Sequence, residues 1–239
     1  MPHFGVALAP QLSAIGLTAN GLGSESVAGS VAVVEQSPYW LDELELDALT
    51  ELVNIGVSRA AAGLATMSGE EVTLTVPAVS VVTTAQAATM IGGGVEDRLI
   101  GIEQDYTGEI SGRALLVFPE VNSLELVRAV AGAAVKPEEI PSMAPEALLE
   151  TGNVVLQACL GSLANMLQRR LEISTPSLVE GGPAELMQRV STEGVVFIYV
   201  NFVLRGRQVR GYIALLMDLV AFIALKRLVG DFIRRETDE

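Results

Sequence analysis

An internal repeat constrains the fold of this chain more than any other feature of its sequence. Several separate landmarks recur at a single offset of 99 residues, and a shared offset indicates duplication of one structural unit. Each copy has about 95 residues, which is small for a generous hydrophobic core of its own. We therefore expect the two copies to share one core. The recurring landmarks are Glu51 and Asn54 (as Glu150 and Asn153), Pro77 (as Pro176) and Gly112 (as Gly211).

Hydrophobic periodicity predicts the same order of elements in both copies. Apolar residues spaced three and four apart indicate long helices over 42–67 and 144–171. Alternating segments that end at Pro77 and Pro176 predict strands. The further elements predicted are a helix at 84–91 in the first copy, β-hairpins at 99–118 and 195–217, and closing helices at 121–134 and 218–235. The sequence thus predicts an α+β fold, a tandem pseudo-twofold repeat of helix–strand–(helix)–β-hairpin–helix with a mostly antiparallel sheet and two long exposed helices.

The first 38 residues differ in composition from the rest of the chain. They are rich in Gly, Ala and Ser, and their only charged side chains are Glu25 and Glu35. Such a segment is typical of a flexible N-terminal extension. We therefore assign 1–38 to an extension and 39–239 to one domain, with repeats at 41–135 and 142–235.

Charge and residue counts exclude several classes of function. A net charge of −14 argues against a nucleic-acid binder, which needs clustered Lys and Arg. With one Cys and one His, the chain has no internal disulfide and lacks the residues of Ser-His-Asp catalysis or a His-rich zinc site. The most apolar stretch, 211–225, is shorter than the roughly 20 residues of a membrane span. We expect a cytoplasmic protein without membrane insertion, in which Cys159 belongs to the core.

Each long predicted helix carries a polar stripe opposite its apolar positions. At about 100° per residue, the members of a stripe fall within roughly 60° of one another. The plain interpretation is a solvated helix face, but solvation does not require Glu-x-x-Asn at matching positions in both copies. The stripes consist of Asp47, Glu51, Asn54 and Ser58 in the first copy and of Glu146, Glu150, Asn153 and Gln157 in the second.

The spacing Asp47-x3-Glu51-x2-Asn54-x22-Pro77, with its second copy from Glu146 to Pro176, resembles the signature of the CheC-type chemotaxis phosphatases. The resemblance covers the chain from about residue 41 to its end. Two sites point to the CheC branch rather than the single-site CheX branch, and the end of the chain after the second copy argues against FliY. The family usually has Asp or Ser where this chain has Glu146, and the longer side chain is expected to weaken the second site.

The resemblance implies a phosphoprotein phosphatase that hydrolyses the phospho-aspartate of the response regulator CheY. It makes the long helices active-site helices, with Glu51 and Glu150 docking the receiver and Asn54 and Asn153 positioning the attacking water. Mg²⁺ is then held by the response regulator, and this chain binds no metal or cofactor itself. The remaining stripe residues, Asp47, Ser58, Glu146 and Gln157, would dock or support the receiver, and Pro77 and Pro176 would be structural.

Two other functions stay open at this point. A non-catalytic adaptor would bind a receiver domain, or the receptor deamidase CheD, through the same surfaces. A hydrolase of the glycosidase type would use Glu51 and Glu150 as a carboxylate pair, and it needs both within roughly 10 Å of each other.

Overall fold

The computed structural model describes residues 39–92, 98–130, 136, 138–188, 194–204 and 207–237. Within these ranges the chain forms six helices and seven strands, and the predicted elements appear among them in their predicted order. The extension predicted at 1–38 lies outside the described residues, and its assignment stays a prediction. The elements are α1 (Glu43–Ser68), β1 (Val72–Thr83), α2 (Thr84–Ile91), β2 (Leu99–Gly108), β3 (Gly112–Pro119), α3 (Glu120–Val130), α4 (Ile140–Met166), β4 (Leu171–Ile173), β5 (Ser177–Gly181), α5 (Pro183–Met187), β6 (Gly194–Leu204), β7 (Arg207–Met217) and α6 (Leu219–Thr237).

All strands of the described part lie in one antiparallel sheet with the order β1-β6-β7-β3-β2-β4, in which β5 also pairs with β2. If each strand is replaced by its counterpart in the other copy, the same strand order results, read from the opposite edge of the sheet. The central β3–β7 ladder has the same symmetry, because Leu115 pairs with Ala214, its own counterpart at the offset of 99. The topology and register therefore agree with the predicted pseudo-twofold repeat, and the α+β class is confirmed.

The helices cover both faces of the sheet, and both copies contribute to each core. The larger core joins one face to α1, α3, α4 and α6. The smaller core joins the opposite face to α2 and α5. The first-copy strand β1 pairs with β6 of the second copy, and β4 and β5 pair with β2 of the first copy. Neither copy completes its sheet alone. The expectation of a shared core is met in that both copies contribute to each cluster, but the core is divided into two clusters, one on each face of the sheet.

Local signals set the ends of most helices. Asp42 and Glu45 form a capping box at the start of α1, with side-chain-to-backbone distances of 2.8 Å in both directions. Gly69 ends α1 in the left-handed conformation, at φ 67°, which favours glycine. Asp218 caps α6 by accepting the Ala221 N–H at 2.8 Å. The prediction of α2 is also confirmed.

The prediction of the second long helix at 144–171 is wrong at both ends. Helix α4 runs from Ile140 to Met166, with a proline in its first turn, where the missing N–H needs no helical partner. At the other end, Gln168 adopts φ 56° and interrupts the helix. Leu171 already belongs to β4, where it pairs with Gly108.

Pro77 does not end its strand, contrary to the prediction. Strand β1 continues through it to Thr83, with a register shift between Thr75 and Ala78. A proline lacks the N–H of a ladder, and an irregular position on an edge strand accommodates that loss. Pro176 lies in the break between β4 and β5, where a strand does stop. The short helix α5, the counterpart of α2, was not predicted.

Helix α4 is the one described helix that is long and apolar enough to cross a membrane by length and composition. However, 56% of its most apolar window is buried inside the protein, as in a core helix. This is weak evidence for a membrane span.

Candidate functional site

The two long helices cross at close range and run antiparallel. A methyl group added at Gly56 of α1 would lie 2.8 Å from Cys159 Cα of α4, and one at Gly63 would lie 2.8 Å from Val154 Cγ1. This register places Glu51 near one end of the helix pair and Glu150 near the other. At 1.5 Å of rise per residue, the two carboxylates are about 20 Å apart along the helices. That separation excludes a shared glycosidase-type carboxylate pair.

The first polar stripe faces away from the larger core. Asp47, Glu51 and Ser58 are exposed, and Asn54 is half-buried at the border of the buried stripe. Within the described residues, none of these four side chains forms a hydrogen bond or an ion pair. The first site therefore offers an unpaired carboxylate and an unpaired amide one turn apart.

The second polar stripe has the same layout but a different set of internal contacts. Glu146, Glu150 and Gln157 are exposed and Asn153 is half-buried. Gln157 Nε2 donates to Asn153 Oδ1 at 2.8 Å. A cavity of about 290 Å³ lies beside the two carboxylates. Its lining residues are Met67, Val130, Met143, Glu146, Ala147 and Glu150.

The buried amide of Gln104 also contacts the second site, and the sequence reasoning missed it. Gln104 lies on β2, is 1% exposed, and donates through Nε2 to Asn153 Oδ1 at 3.1 Å. It lies on the same face of β2 as Ile100, Ile102 and Tyr106, which face the larger core. A polar residue at an apolar position of an alternating strand was the available signal.

In the described ranges no internal cation neutralises the carboxylates of the two stripes, whereas several other acidic groups do form ion pairs. Glu45 pairs with Lys226 at 3.0 Å. Arg113 donates to Asp105 at 2.7 Å, and this hydrogen bond with Asp105 raises the pKa of the Arg113 guanidinium above its ordinary value. By contrast, the stripe carboxylates are available to a cation of a partner.

The structure gives no sign of redox or metal chemistry at the helix crossing. Burial raises the pKa of the Cys159 thiol to about 12, so the thiol stays protonated and unreactive at neutral pH. In the described ranges, no three His, Cys, Asp or Glu side chains converge on a point that could hold a metal ion.

Comparisons with known structures show the class of fold. The chain resembles Thermotoga maritima FliY with a TM-score of 0.61 at 20% identity, over 79% of this chain and 98% of that one. It also resembles the FliM middle domain of H. pylori, with a TM-score of 0.53 at 9% identity over 79% and 99% of the two chains. At these identities the likeness establishes the fold alone.

Sequence comparisons support the resemblance to the CheC-like family. The model of the CheC-like family matches residues 44–81, which include the first stripe and Pro77. The flagellar motor switch phosphatase FliY of Bacillus subtilis is 26% identical over 160 residues, which are 66% of this chain and 40% of that protein. These matches confirm the resemblance to the CheC-type chemotaxis phosphatase family. This chain thus spans less than half the length of the curated FliY, and the choice between the CheC and FliY branches stays a prediction.

Proposed function

We propose that this protein is a chemotaxis phosphatase that hydrolyses the phospho-aspartate of a CheY-type receiver domain. One observation supports this most directly: an exposed, unpaired Glu and a half-buried Asn lie one turn apart on each long helix. The curated relative is itself named a phosphatase. The two stripes lie on opposite ends of the helix pair, so that each has room for its own receiver.

The proposed chemistry requires little of the chain beyond positioning. A water molecule attacks phosphorus in line, the bond from phosphorus to the aspartate oxygen breaks, and carboxylate and inorganic phosphate result. A neutral amide orients the water without adding negative charge next to the phosphoryl oxygens. We assign this role to Asn54 and Asn153.

The carboxylates are proposed to fix the position of the docked receiver on each helix. Glu51 and Glu150 are proposed to accept a charge-assisted hydrogen bond from a lysine beside the phosphorylated aspartate of the receiver. Asp47, Ser58, Glu146 and Gln157 would support the docked receiver around them. Mg²⁺ held by the receiver would neutralise phosphoryl charge, and this chain supplies no ligand to it.

A time course of inorganic phosphate release from phosphorylated CheY, with and without Mg²⁺, tests the proposal. Removing one oriented donor from a preorganised site commonly costs on the order of 10²-fold in rate. The double variant Asn54→Ala, Asn153→Ala should therefore nearly abolish release, while Gln188→Ala, an exposed amide on α5's side of the sheet, should leave it unchanged.

Two outcomes of that experiment would contradict the proposal. A double variant with full activity would eliminate the Asn mechanism. Receiver binding without phosphate release would favour the adaptor, whose partner would be a receiver domain or CheD. CheD is tested separately, by adding it and measuring complex formation.

A further inference from the structure

The side-chain oxygen of Asn153 has no remaining capacity to accept a hydrogen bond. It accepts from Gln104 Nε2 at 3.1 Å and from Gln157 Nε2 at 2.8 Å. An amide oxygen has two lone pairs, and both are used. The two N–H groups of Asn153 Nδ2 form no hydrogen bond with described residues.

The orientation of this network is fixed by the main chain. Gln104 Nε2 also donates to the backbone oxygen of Ser174 at 2.8 Å. A backbone carbonyl can only accept, so the end of the Gln104 amide that faces Ser174 and Asn153 must be its nitrogen. Asn153 must then present its oxygen to Gln104, which turns its N–H groups toward the exposed side.

The first site lacks both partners of this network. In the sheet register, Gln104 pairs with Ala114 and Ile198 pairs with Ile213. Ala114 and Ile213 correspond at the offset of 99, so the buried aliphatic side chain of Ile198 takes the place of Gln104. Ser58 likewise takes the place of Gln157. The Asn54 amide therefore keeps both its oxygen and its nitrogen available.

This difference bears directly on water activation. An amide that accepts the O–H of a water leaves a lone pair of that water directed at phosphorus. An amide whose oxygen is occupied can only donate, either to the water or to a phosphoryl oxygen. Asn54 can perform the first task, whereas Asn153 is restricted to the second.

We propose that Gln104 and Gln157 are positioning residues that hold Asn153 as a hydrogen-bond donor. The second site then retains the phosphoryl group of a receiver, while the first site carries most of the hydrolysis. This inference rests on the proposed function, but it replaces the water-positioning role of Asn153 by binding of the phosphoryl group. It also gives a cause for unequal sites that is independent of Glu146.

The kinetic test compares variants with phosphorylated CheY as substrate. Asn54→Ala should lose at least tenfold in kcat, whereas Asn153→Ala should keep more than half of kcat and raise KM. Adding Gln104→Leu and Gln157→Ala to Asn54→Ala should raise kcat at least fivefold, because Asn153 Oδ1 becomes free. The position of Gln104 tolerates an aliphatic side chain, since Ile198 occupies the equivalent place, and Gln188→Ala serves as the control. A merely structural role for Gln104 cannot raise kcat.

Two results would overturn the inference: Asn54→Ala keeping more than half of kcat, or the triple variant matching Asn54→Ala while remaining folded by circular dichroism. If the unmodified chain releases no phosphate, the proposed function fails, and NMR then decides the orientation of Asn153. The side-chain amide protons of Gln104 should exchange with solvent at least 100-fold more slowly than those of Gln188. Gln104→Leu should shift the Asn153 side-chain amide resonances and leave those of Asn54 in place. Equal exchange rates, or an unmoved Asn153 resonance, would refute the network.

Discussion

The crossing of α1 and α4 determines how the two polar stripes are held, and at Gly56 the two helix backbones come into close contact. A Cβ added there would meet Cys159 Cα at 2.8 Å and the Cys159 carbonyl oxygen at 3.3 Å, whereas ordinary contacts begin at 3.4 Å. Backbone atoms cannot rotate away as the end of a side chain can. Gly56→Ala must therefore move the two helices apart by several tenths of an ångström.

The expected cost of this substitution follows from two opposing effects. Overpacking a well-packed core typically costs about 1–3 kcal/mol. Replacing Gly by Ala within a helix returns about 1 kcal/mol. We expect a net loss of up to about 2 kcal/mol in the free energy of unfolding. For a domain of this size that corresponds to a Tm lower by up to about 8 °C.

Gly161→Ala provides the matched control, because it adds the same methyl group to α4 at a position with nothing within 4 Å. It should be neutral or should stabilise the protein by up to about 1 kcal/mol. Urea unfolding followed by far-UV circular dichroism measures both variants against the unchanged chain. Equal stability of Gly56→Ala and Gly161→Ala would refute the close helix contact.

Three further expectations concern other parts of the chain. Deleting residues 1–38 should change phosphate release less than tenfold, since neither Glu–Asn pair lies there; a larger loss would reveal a docking element in the extension. Burial raises the pKa of the Cys159 thiol to about 12, so at pH 8 it should react with a disulfide reagent on the order of 10³-fold more slowly than a cysteine of ordinary pKa near 8.5. The urea-unfolded chain is the positive control, and rapid reaction of the folded chain would contradict this prediction. Burial also raises the pKa of Tyr106 far above its usual value, so the unfolded chain loses this proton first and stability should fall as pH rises above about 10. Tyr106→Phe removes a buried hydroxyl without a hydrogen-bond partner. It should therefore change the free energy of unfolding little at neutral pH and reduce the loss of stability at alkaline pH. Destabilisation at neutral pH would indicate that the hydroxyl has a hydrogen-bond partner after all.

The parts of the fold that were predicted correctly have local or repeated signals. Apolar spacing located α1, and the offset of 99 extended this prediction to the second copy. The hairpins were found because each joins alternating segments across a short turn. The pairing of β1 with β6 was not predicted, because it joins different copies and no local pattern encodes it.

The errors have physical causes in particular residues. Pro77 normally signals the end of a strand, but β1 lies at the sheet edge, where an irregular position tolerates a missing N–H. The end of α4 was missed because the left-handed conformation falls on Gln168 rather than on a glycine.

The candidate site was only partly accessible to sequence reasoning. Its Glu and Asn residues repeat along the chain and so could be found. Gln104 has no counterpart in the second copy, where Ile198 takes its place, and it lies 49 residues from Asn153 in the sequence. Only the folded sheet brings the two amides together.

The exchange of strands between the copies has a consequence for the origin of the chain. A polypeptide with one copy would have β1 without a partner and β2 without β4 and β5 beside it. Two identical polypeptides could complete the sheet only as a twofold symmetric dimer joined through β3 and its equivalent. The present chain is the covalent form of such a dimer. In a homodimer every substitution occurs in both sites at once, whereas after fusion Gln104 could stand in one half and Ile198 in the other.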